Sequence, residues 1–109
     1  MAKPAPPNVI LISTDQHRGD TLGIAGHPVV HTPGMDALAL SGHYFPRAVS
    51  QVPSCVAARR NLFSGQHAVK HGMIGFNDTL PWEEPDTLCR VFQRNGYKTY
   101  SVGKRHVYP

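Results

Sequence analysis

A cysteine, an arginine four residues on, and a Gly-Lys-x-His group near the end of the sequence are the residues best placed to do chemistry in this chain. Pro53-Ser54 turns into Cys55, and the segment that follows, Val56 to Phe63, has helical character and runs into Ser64-Gly65. Ser54 or Cys55 therefore stands at a helix entrance, and Gly65 suits the C-terminal cap. A helix N-terminus offers unpaired N–H groups and the positive end of a dipole, which attract anions and activate a thiol. Arg59 follows Cys55 at the i, i+4 spacing and projects from the same helix face. A nucleophile, an anion hole and a guanidinium thus fall within one turn. A lone cysteine is more often a small buried apolar residue, so the case rests on the run around it. Lys104 and His106 are alternate residues, which an extended chain would point to one side; the plain alternative for either alone is a basic loop end.

These groups need elements to carry them. Asn8 to Ser13 is a short, unbroken apolar run with β-branched residues, which predicts a buried parallel strand. Thr14-Asp15-Gln16-His17 follows at its C-terminal end, where open α/β sheets bind ligands. Asp15 is there a metal or catalytic candidate, although Asp also commonly caps a following element. Residues 18–31 hold three glycines and Pro28 and read as a loop. His27 and His31 have the spacing of a helical zinc pair, but Pro28 between them and the glycines before disfavour a helix, so both read as surface or structural residues. Thr32-Pro33 opens a helix with Asp36 near its positive end and a stripe of Met35, Leu38 and Ala39, ended by Ser41-Gly42. Tyr44 to Val49, interrupted by Pro46-Arg47, reads as an edge strand that delivers the chain to Cys55.

Beyond Gly65, His67 and His71 read as a solvent-facing helix exit, followed by a polar loop through Asn77 and Asp78. Pro81 to Pro85 is a turn whose Glu83 and Glu84 form a solvated acidic corner. Asp86 is expected to cap a last helix with Leu88, Val91 and Phe92 inward and Cys89 in the core, terminated by Asn95-Gly96. Tyr97 to Val102 alternates as a strand and leads into Gly103-Lys104-Arg105-His106.

With 109 residues, 40% of them hydrophobic, the chain makes at most one small domain. Its net charge of +4 suits an anionic substrate but is too dispersed to argue for nucleic acid. Two cysteines make neither a disulfide framework nor a CxxC site. Residues 1–7 form a Pro-rich lead without the apolar core of a secretory signal, and no window reaches a membrane span, so a soluble cytoplasmic protein with no membrane partner is the default expectation.

The run Cys55-x-Ala57-x-Arg59 followed by Leu62-Phe63-Ser64-Gly65 resembles the signature of the sulfatases, a branch of the alkaline-phosphatase superfamily. The strand-like start ending in Asp15, the Thr32-Pro33 helix and the closing Gly103-Lys104-x-His106 arrive in the family's order. Ala57 stands where the family usually has proline; alanine keeps the helix but lacks proline's rigidity in the first turn. The resemblance implies an α/β fold, the start of a mostly parallel sheet flanked by helices, with residues 8–109 the N-terminal part of a single, incomplete catalytic domain. It implies oxidation of Cys55 to formylglycine by a separate formylglycine-generating enzyme. Asp15, Gln16 and the modified Cys55 would then hold a divalent cation, usually calcium in this family. Many members have two consecutive aspartates where this chain has Asp15-Gln16; an amide oxygen can ligate a hard cation but brings no charge.

The reaction so implied is hydrolysis of a small anionic sulfate monoester. The aldehyde hydrate, its ionised form favoured by the metal and Arg59, attacks sulfur in line and expels the alcohol. Lys104 and His106 neutralise charge on the sulfate oxygens, and the hydrate's second hydroxyl then releases sulfate by reforming the aldehyde. Two alternatives stay open from the sequence. One is a phosphonate monoester or phosphodiester hydrolase of the same superfamily; the other is a non-catalytic, anion-binding remnant.

Overall fold

The computed structural model describes residues 5–77 and 79–107. Asp78, in the loop expected to run through Asn77, and residues 1–4 of the Pro-rich lead lie outside the described residues. The chain divides into two compact units, Met1–Arg47 and Ala48–Pro109.

In the first unit a 3-10 turn, Gly23–Ala25, precedes helix α1, Pro33–Ser41. Pro33 enters α1 where its fixed φ is already helical and its missing N–H costs nothing. Thr32 is the N-cap residue by position, but its side chain serves the 3-10 turn. Its hydroxyl accepts from the Gly23 N–H at 2.8 Å and donates to Asp36 Oδ1 at 2.9 Å. The same Asp36 oxygen accepts from the Ile24 N–H at 2.9 Å, so a polar knot ties the turn to the first turn of α1. The expected apolar stripe is not covered: Leu38 is 66% exposed. No described residue of this unit is buried.

The second unit contains α2 (Cys55–Ser64), α3 (Ala68–His71) and α4 (Leu88–Arg94), with α2 packed against both of the others. Helix α2 runs one residue further at each end than the sequence suggests. Ser54 enters in extended conformation, and Gly65 closes it in the left-handed region at φ 66°, its N–H donating to the Asn61 carbonyl at 2.9 Å. Val52, Val56, Ala57, Ala68 and Met73 form the core, with Cys55 and Leu80 packed against it. Val56 and Met73 are wholly buried, a burial worth about 1.5–3 kcal/mol each.

Helix α4 is capped by Thr87, whose hydroxyl accepts from the Arg90 N–H at 3.3 Å, and not by Asp86. Asp86 lies one residue too early to reach those donors and instead pairs with Arg94. Of the expected inward stripe, Val91 is exposed, whereas Phe92 is half-buried and meets Tyr97 edge-to-face at 4.9 Å. Cys89 is half-buried rather than in the core.

The sheet is not formed: among the described residues there is no strand, and 8–13, 44–49 and 97–102 carry none of the expected ladders. A parallel strand satisfies its backbone only through neighbouring strands and its faces only through covering layers. Here Ile10 is 82% and Val102 fully exposed, so these segments lack both. No helix of the described residues is long and apolar enough to cross a membrane.

Candidate active site

The second unit builds its polar centre at the head of α2. Cys55 is the first residue of the helix and half-buried, since Val56 and Ala57 beside it anchor the turn in the core. Its Sγ lies 3.3 Å from Nδ1 of His106, a residue 51 positions later in the chain. That is within reach of an S–H···N or S···H–N hydrogen bond, according to which ring nitrogen carries the proton. The Phe76 ring stands 6.3 Å from the imidazole. His106 has φ 43°, a left-handed conformation that a non-glycine residue seldom adopts. The chain is therefore not extended through it, and the expectation that Lys104 and His106 point to one side as alternate strand residues loses its premise.

Arg59, one turn after Cys55, donates from Nη1 to the carbonyl of Lys104 at 2.7 Å. Cys55, Arg59 and His106 are thus brought together, with Lys104 joining through its backbone and its side chain exposed. Asp15 and Gln16 belong to the first unit, at the exposed end of the apolar run. Gln16 has φ 53°, so the only two non-glycine residues with positive φ among the described residues are both candidate site residues. Strained backbone of this kind clusters at functional sites.

Asp15 offers a carboxylate and Gln16 an amide oxygen on adjacent exposed residues, hard donors of the kind a divalent cation takes. Among the described residues no three His, Cys, Asp or Glu side chains cluster as a ready-made metal site.

Arg60 lies outside the motifs that the sequence singles out. It is wholly buried, and its guanidinium donates to the carbonyls of Val107 (2.7 Å), Pro81 (3.0 Å) and Leu80 (2.6 Å) while lying 5.2 Å from the centre of the Trp82 ring. Burial pushes its pKa down from the usual value, with the Glu84 charge opposing. A signal was available: Val56 and Arg60 stand at i, i+4, so a charge sat in the apolar stripe of α2. Glu84 itself is half-buried and accepts from Gln66 at 2.8 Å, so only Glu83 remains a solvated corner.

His71 also turns inward instead of facing solvent. Its Nδ1 accepts from the Met73 N–H at 3.2 Å, which leaves the proton on Nε2 to be donated to Asn61 Oδ1 at 2.6 Å. Burial, and then the nearby Arg60 charge, hold its pKa below the ordinary histidine value. His27 is structural as expected, its Nδ1 accepting from the Val29 and Val30 N–H groups.

Residues 7–109 match the family model described as Sulfatase. An arylsulfatase of Clostridium perfringens is 41% identical over 103 residues, covering 94% of this chain and 21% of that protein. A protein of Formosa agariphila described as an ulvan-active sulfatase is 42% identical over 107 residues, covering 96% and 20% respectively. The human N-acetylgalactosamine-6-sulfatase is 31% identical over 116 residues, covering 95% and 22%. The chain spans about a fifth of the length of the curated relatives it matches. No solved structure matches it.

Proposed function

The chain belongs to the sulfatase family, and on that premise we propose that the full-length protein carrying it hydrolyses a small sulfate monoester, with residue 55 as the nucleophile position. The observation that carries the reading is the meeting of Cys55 with His106 at the head of α2, across 51 positions of sequence. Formylglycine in place of Cys55, made by a separate modifying enzyme, supplies a hydrated aldehyde as nucleophile and a second hydroxyl for releasing sulfate. Asp15, Gln16 and residue 55 would hold a divalent cation, a hard ion such as calcium that oxygen ligands suit, and it would favour the ionised form of the hydrate.

The chain's own residues do the rest. The first turn of α2 directs its N–H groups and positive dipole end at the space before residue 55, where a sulfate oxygen would gain. The His106 ring, 3.3 Å from the side chain at 55, is within range to hold or move a proton of the nucleophile there. Arg59 and Lys104 add fixed positive charge near the developing anion, and such preorganised electrostatics is commonly the largest catalytic contribution. The exposed apolar runs at 8–13 and 97–102 become strands of an alkaline-phosphatase-like sheet once the full-length protein supplies their neighbours.

The test is hydrolysis of an aryl sulfate by full-length protein and by Cys55→Ala. Loss of activity on the order of 10³-fold or more is expected for a removed nucleophile. Cys55→Ala with undiminished turnover would rule out residue 55 in that role. Parallel assay of an aryl phosphonate separates the two ester classes: a higher kcat/KM on phosphonate would reassign the substrate.

A further inference from the structure

The contact between Cys55 and His106 joins a helix to a loop, and something must hold that loop in a conformation it would not choose. Helix α2 grips it twice. Arg59 donates to the Lys104 carbonyl at 2.7 Å and Arg60 to the Val107 carbonyl at 2.7 Å, so neighbouring arginines bracket Arg105-His106 from either side. Between the two anchors His106 is held at φ 43°, a conformation that persists only where the surroundings over-determine it. Cys55 rides on the same helix one turn earlier. The separation of the two reactive side chains is therefore set by α2 acting as a rigid spacer.

The two arginines differ in what else they can do. Arg59 is only partly buried and stands among the groups assigned to the substrate anion. Arg60 is wholly buried, and its guanidinium bonds go to the backbone carbonyls of Val107, Pro81 and Leu80, with Trp82 under its plane. A buried guanidinium is tolerated only when its donors are satisfied, and here they are satisfied by three carbonyls on two segments, 80–81 and 107. It cannot touch a substrate, so any effect it has on turnover must pass through the loop.

We infer that Arg60 is the positioning residue that sets the His106 imidazole against residue 55. Its rigid planar fork reaches three carbonyls at once, which the single ammonium of lysine cannot do. Misplacement of the imidazole by about an ångström would lower kcat while leaving substrate binding nearly intact. For its activity readout the inference rests on the sulfate-ester reading above.

The experiment is a double-mutant cycle in the full-length protein with Arg60→Lys and His106→Ala. Arg60→Lys alone should lower kcat about tenfold or more and change KM by less than about twofold. In the His106→Ala background the same change should cost less than about twofold further, because the group it positions is gone. Losses that multiply, or an Arg60→Lys protein with unchanged kcat, would overturn the inference. If Arg60→Lys does not fold, the cycle is run with Trp82→Leu, which loosens the seat of the guanidinium but keeps its hydrogen bonds. A smaller loss is then expected that also vanishes in His106→Ala, and an additive loss overturns it. An activity-free arm separates this from the reaction itself. In isotope-labelled protein with Cys55 unmodified, the ring signal of His106, assigned with His106→Gln, should lose its proton contact to residue 55 in Arg60→Lys. A contact of unchanged strength would refute the positioning role even if sulfate hydrolysis were never seen.

Discussion

In the unit Ala48–Pro109 apolar side chains close around α2 until Val56, Ala57 and Met73 have no exposed surface, while in Met1–Arg47 no described residue is buried. Both units have comparable helices, each entered with good signals, Thr32-Pro33 in one and Ser54-Cys55 in the other. What separates them is where the covering partners lie in sequence. Val52, Ala68 and Met73 are all within some twenty residues of α2, so the second unit can bury its helix with what is near. The first unit holds its turn and helix together by the Thr32–Asp36 polar knot, and its most apolar stretch, 8–13, stays in solvent. Of the candidate site residues, Asp15 and Gln16 lie exposed in the first unit, while in the second Cys55, Arg59 and His106 are brought together.

Substitutions can sharpen that contrast. The largest effect is expected from Met73→Ala, which empties a fully buried site in the second unit and should cost about 2–5 kcal/mol. Denaturant unfolding followed by amide exchange at α2 would measure it, and a loss below 1 kcal/mol would mean that this core contributes far less than its burial implies. Next is Thr32→Val, similar in shape but unable to hydrogen-bond. It should cost about 1–2 kcal/mol locally, seen as lost exchange protection at the Gly23 and Ile24 amides. If those amides keep their protection, the first unit is held by something other than the polar knot.

The smallest effect concerns pH. The pKa of His71 is held below its unfolded value of 6.5, mainly by burial. Between the depressed folded value and 6.5 the unfolded chain binds more protons than the folded one, so stability rises with pH across that window. The contribution is complete above about 6.5 and is lost as pH falls toward the folded value. Unfolding midpoints measured across that range should decline toward acid, and His71→Gln should flatten the slope. A slope unaltered in His71→Gln would assign the decline to other groups.

Much of the candidate site was legible in the sequence because its signals are local. The Pro-Ser turn, the Cys-to-Arg spacing and Gly65 fix α2 and its cap within a dozen residues. What could not be read was tertiary. That Thr87 rather than Asp86 caps α4 depends on one residue of chain geometry. The position of Arg60 in the apolar stripe of α2 was a signal of burial, but which groups satisfy its charge depends on carbonyls 20 and 47 positions away. The strand at 8–13 was inferred from an apolar pattern whose fulfilment requires neighbours, and no local signal says whether they are supplied.

The claim on which the account turns is that residue 55 is the nucleophile position and is converted to an aldehyde. The direct measurement is the mass of the peptide containing Cys55, taken from active full-length protein. Conversion removes one sulfur and two hydrogens and adds one oxygen, and the product reacts with a hydrazide probe. The account predicts that this modified peptide is present and that its share tracks specific activity when a formylglycine-generating enzyme is co-expressed. Fully active protein whose Cys55 remains an unmodified thiol throughout would contradict it.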